Sequence, residues 1–121
     1  MRQRILGVLA VLVFAQGMVV LADPPTLSIE QQATLVPGGV MVNVVVNCGD
    51  GESLGLVVVG VRQGNVSMDA PQSFASTGNR QEVSVFVDGP FTVGDASASA
   101  ELACADLFAG EVLGATIKIT Q

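Results

Sequence analysis

The sequence has 121 residues, room for one domain and not two. Half of it is hydrophobic, yet its only aromatics are five Phe, and it has no His, Tyr or Trp. Without His it lacks the commonest general base and a common transition-metal ligand. A formal net charge of −6 argues against nucleic acid and anionic lipid as partners, since both require a basic face.

Residues 1–22 read as a signal peptide. Arg2 and Arg4 form a basic n-region, Ile5 to Phe14 an apolar h-region, and Val20-Leu21-Ala22 a cleavage site followed by Asp23-Pro24-Pro25. The alternative, a retained membrane anchor, is weakened by Gln16 and Gly17 inside the stretch. The domain is then residues 23–121. Its three basic residues, Arg62, Arg80 and Lys118, stand against eleven acidic ones, a formal charge of −8. Export predicts a secreted, periplasmic or cell-envelope location, and there two cysteines imply one bridge.

Thr26 to Glu30 reads as a short first strand, continued by Gln31 to Val36 after a kink. Pro37-Gly38-Gly39 is a turn. Val40 to Cys48 alternates at period two with Val40, Val42, Val44, Val46 and Cys48 on the inward face. Gly49 to Ser53 is an acidic turn. Leu54 to Arg62 is apolar on both faces, which predicts a central strand or a covered second face. Gln63-Gly64-Asn65 closes it.

Val66-Ser67-Met68 reads as a short edge strand broken at Asp69-Ala70-Pro71, and Gln72 to Ala75 as its resumption, with Phe74 inward. Glu82 to Asp88 turns Val83, Val85 and Val87 inward and Phe86 outward. Ser97 to Ala105 carries Ala98, Ala100, Leu102 and Cys104 on its inward parity. Asp106 to Gly110 reads as a loop. Val112 to Gln121 is the last strand, with Leu113, Ala115, Ile117 and Ile119 inward. Seven short strands at this spacing, with no helical period, predict an all-β antiparallel sandwich.

Cys48 and Cys104 both fall on inward parities, so a bridge between two facing sheets fits, and no Cys-x-x-Cys motif points to redox work. With one cysteine on the second strand and one on the sixth, the chain resembles an immunoglobulin-like domain. It departs from the antibody pattern: no Trp stands on the Leu54–Arg62 strand, and Leu102 occupies the tyrosine-corner position. In this it looks more like the small secreted immunoglobulin-like domains of bacteria. That resemblance implies a seven-stranded antiparallel sandwich and carries little functional weight.

Four carboxylates, Asp50, Glu52, Asp106 and Glu111, fall in turns that a seven-strand sandwich gathers at one end. They are candidate calcium ligands, although the missing Asp/Asn spacing favours solvated turns. Leu107 and Phe108 beside Asp106 are either a partner-binding anchor or a cap on the core. Phe86 and Val58 are candidates for an exposed patch. Asn65-Val66-Ser67 is a glycosylation sequon, meaningful only in a eukaryotic source. No catalytic constellation and no cofactor is implied.

The leading expectation is a secreted, non-catalytic binding or adhesion module whose partner is an extracellular or envelope protein or glycan. A carrier of a small apolar molecule, lined by Leu54, Val58, Phe86, Phe91 and Phe108, is the second. A structural envelope or assembly subunit is the third.

Overall fold

A computed structural model describes residues 25–49, 53–105 and 107–121, and for Ser53, Leu107 and Phe108 the backbone alone. Residues 1–22, expected to be a signal peptide, and Asp50, Glu52 and Asp106 lie outside the described residues. Those described contain strands and turns and no helix, hence none long and apolar enough to cross a membrane.

Eight strands follow one another: β1 (Thr26–Ile29), β2 (Gln32–Val36), β3 (Gly39–Asn47), β4 (Ser53–Gln63), β5 (Val66–Ser76), β6 (Gln81–Asp88), β7 (Gly94–Cys104) and β8 (Leu107–Thr120). They pair in the order β1-β3-β2-β8-β7-β4-β5, with β6 joined to β3. β6 runs along β3 from Gly39 to Val46, while β1 and β2 share the other edge of β3. The kink between β1 and β2 carries the chain from β3 toward β8. There Glu30 N donates to Asn43 O, and Lys118 N donates to Gln31 O.

The architecture is all-β and sandwich-like, but it is neither seven-stranded nor wholly antiparallel. The kink divides the expected first strand in two, and β2 lies parallel to β8, with Gln32 opposite Lys118 and Thr34 opposite Thr120.

One core collects the inward side chains. Val40, Val42, Val44 and Val46 of β3 and Val83, Val85 and Val87 of β6 come from one half. Val57, Val59 and Val61 of β4, Ala96, Ala98, Ala100 and Leu102 of β7, and Ile117 and Ile119 of β8 come from the other. Period-two alternation supplies this surface directly, and β-branched side chains pack well on a pleat. The Cys48–Cys104 disulfide ties the end of β3 to the end of β7 across a Cα–Cα distance of 5.8 Å. These strands are not neighbours in the sheet, so the bridge joins the two halves.

Three expectations need correction. β5 is continuous through Asp69-Ala70-Pro71, because it is an edge strand paired only with β4, where a missing N–H is tolerated. The expected loop Asp106–Gly110 is strand from Leu107 onward, since Ala105, at φ 53°, turns the chain abruptly after Cys104. Leu113 points outward and is 71% exposed: a bulge opposite Ser99, with Gly114 at φ 68°, shifts the parity of β8. Ile117 and Ile119, beyond the bulge, are buried as expected.

Gly55 shows how a gap in this core is filled. It lies opposite Phe74 on β5, whose ring would stand only 2.3 Å from a Cβ built there. The half-buried ring covers the glycine, as aromatics do across antiparallel pairs.

Candidate binding face

The residues proposed from sequence do not converge on one site. Asp50, Glu52 and Asp106 lie outside the described residues. Glu111 is exposed on β8 opposite Glu101, within the ladder rather than in a loop. Among the described residues no group of three or more His, Cys, Asp or Glu could hold a metal ion. Leu107 and Phe108 are strand residues, so they form no loop tip. Of the apolar set, Leu54 and Val58 lie on the outer face of β4, Phe86 on the outer face of β6, and Phe91 in the core. These four lie on three different surfaces. Asn65 is exposed in a two-residue turn whose first residue, Gly64, has φ 60°, a hairpin geometry that glycine permits.

What the fold does assemble is a face. On the outer surface of β5-β4-β7, cross-strand rows succeed one another down β4. Leu54 lies beside Ala75, and Leu56 between Ser73 and Ala103. Val58 lies between Pro71 and Glu101, Gly60 between Asp69 and Ser99, and Arg62 between Ser67 and Ser97. The top of the face is apolar and open, with Leu54 76% and Leu56 40% exposed. β4 is central in its half, as its two apolar faces predicted, yet no described element covers the second face.

The lower end is polar and concave. A depression of about 230 Å³ is lined by Gly60, Arg62, Ser67, Asp69, Ser97 and Ser99, with Gly114 at its margin. Gly60 is not among the residues that the sequence singles out as a site. Its available signal was a glycine inside a strand, which marks a bulge or a close approach. Asp69 and Leu113 were missed for reasons of register: one read as a strand break, the other as core.

A second charged group sits on the outer face of the β3-β6 half. Glu30, Arg80, Gln81 and Glu82 border a shallow hollow over Val45. The protonated Glu82 carboxyl donates a hydrogen bond to Glu30, and this bond and the charge of Glu30 raise the Glu82 pKa above its ordinary 4.5; burial adds to the rise, and Arg80 opposes it. A raised acid pKa means that the folded state holds the proton more tightly than the unfolded one. The ionised pair therefore penalises the fold at neutral pH, and the penalty is lost as pH falls through the raised pKa toward 4.5. Glu82→Gln is expected to unfold at a higher temperature than wild type at pH 7. The advantage should shrink steadily toward pH 4.5 in melts followed by circular dichroism, and a constant offset across that range would count against the pair.

No protein-family model matches the chain, and no curated protein matches it, so the chemistry of the face rests on its own residues.

Proposed function

We propose that the chain is a secreted, non-catalytic binding or adhesion module of immunoglobulin-like type. It meets an extracellular or envelope partner through the outer face of β5-β4-β7-β8. The observation that carries this reading is the exposure of Leu54 and Leu56 on a central strand, where a monomer gains nothing from leucine. Strands about 4.8 Å apart and about ten residues long give four strands a face on the order of 600 Å². One partner of a standard interface buries about 800 Å², so the face fits a modest or transient contact.

The immunoglobulin-like type is supported by a disulfide between strands that are not sheet neighbours and by alternating cores on both halves. The exported location is supported by the disulfide together with the n- and h-regions of residues 1–22. The non-catalytic role is supported by the lack of any His base in the sequence.

The test is affinity capture from native culture supernatant and envelope extract on the immobilised, oxidised protein. Beside it runs the Leu54→Ser/Leu56→Ser variant, whose changes are at exposed positions and leave the core intact. Retention by wild type that drops at least about tenfold in the variant, roughly 1.4 kcal/mol of contact, is the expected result. No retained component, or equal retention by both, would overturn the reading.

A further inference from the structure

The depression at the polar end of the face is built rather than incidental. Glycine weakens a strand interior, and Gly60 stands in the middle of β4. A Cβ there would lie 2.8 Å from Asp69 Oδ1 and 3.1 Å from Ser99 Oγ, so the two flanking side chains close over the glycine. Beyond Ser99 the β7–β8 ladder is bulged at Gly114. The depression is lined by Ser67 and Asp69 of β5, Gly60 and Arg62 of β4, Ser97 and Ser99 of β7, and Gly114 of β8.

The wall chemistry is two-sided. Arg62 only donates hydrogen bonds, Asp69 accepts them, and the three serines do both. Among the described residues the one ion pair is Lys118–Asp95, so Arg62 has no described carboxylate within 4.0 Å. Resting on the assignment of this face as a contact surface, we infer that the depression is a subsite for an acidic sugar, its carboxylate on Arg62 and its ring hydroxyls on Asp69 and the serines.

Competing ligands fit less well. A phosphate spreads negative charge over all its oxygens and meets the Asp69 carboxylate with repulsion. A neutral sugar leaves Arg62 without a counter-charge. An amino-acid zwitterion would need the two charged groups side by side, and Arg62 and Asp69 form no ion pair within 4.0 Å. A hexuronate spreads carboxylate and hydroxyls over the two ends of one ring, which is the spacing the rows present.

The experiment is an amide NMR titration of the exported, oxidised protein with glucuronate, glucose, acetate and inorganic phosphate. Glucuronate is expected to shift amides at 60–62, 67–69 and 97–99, with at least tenfold weaker binding of the other three. Arg62→Gln should reduce glucuronate to the level of glucose, and Asp69→Asn should weaken both sugars. Both positions are exposed, and the dispersed spectrum reports directly that each variant is folded. Absence of shifts at these rows, acetate binding as well as glucuronate, or indifference to Arg62→Gln would each overturn the subsite. Any of these beside capture that still depends on Leu54 and Leu56 removes the sugar assignment alone; loss of that capture as well removes the contact face.

Discussion

The Cys48→Ala/Cys104→Ala protein is expected to lose about 4 kcal/mol of stability in the chain-entropy picture. The bridge closes a loop between positions separated by 56 residues, and the unfolded chain without it regains that loop's freedom. The figure is a large share of the 5–15 kcal/mol typical of a domain (~10 at mid-range). The core is built from valine, alanine, isoleucine and one leucine, with a single buried phenylalanine among the described residues, so no large aromatic cluster offsets the loss. For a domain of this size the melting temperature should fall by about 20 °C. Denaturant unfolding of the variant beside the oxidised wild type measures it. A change under about 1 kcal/mol would mean that the unfolded chain is already held compact by other contacts.

Leu102→Ala is expected to cost about 3 kcal/mol. Leu102 is among the largest fully buried side chains, opposite Val57 on β4 and Gly110 on β8. Gly110 has no side chain to move into the vacated space, so the site relaxes poorly and the cavity persists. The denaturant midpoint should fall with an unchanged slope, because the surface exposed on unfolding hardly differs. Leu102 is two residues from Cys104 on the same strand, so combining this change with loss of the bridge should give a non-additive sum. A loss below about 1 kcal/mol would show that neighbouring residues collapse around the alanine.

Much of this fold is written in local alternation. Val40 to Cys48 and Val83 to Val87 each declare an inward face, and the cysteines' parity declares the bridge that the structure contains. Partner choice is not local. Nothing in Gln32–Val36 names β8 as its parallel neighbour, because period two tells which face is buried and not which strand lies alongside. Pro71 misled for a related reason: proline breaks a central strand and is harmless on an edge, and edge position is a property of the whole sheet. The bulge at Leu113 and Gly114 reversed a parity that the sequence extends without interruption. The depression at Gly60 was invisible in the same way, since Asp69 and Ser99 become its walls only once three strands are in register.

The pairing of β2 with β8 has a consequence for how the molecule forms in time. Thr120 Oγ1 donates to Ala33 O across 87 positions, so nearly the whole chain must exist before that ladder can close. Contacts of such separation place a domain among the slow folders, in milliseconds to seconds rather than microseconds. Until the last strand arrives, β2 presents an unpaired edge along Gln32 to Thr34, which is the segment that β8 occupies in the finished sheet. While open, that edge is a template for pairing with another chain, so refolding at high protein concentration is expected to lose material to aggregation, and dilution to recover it.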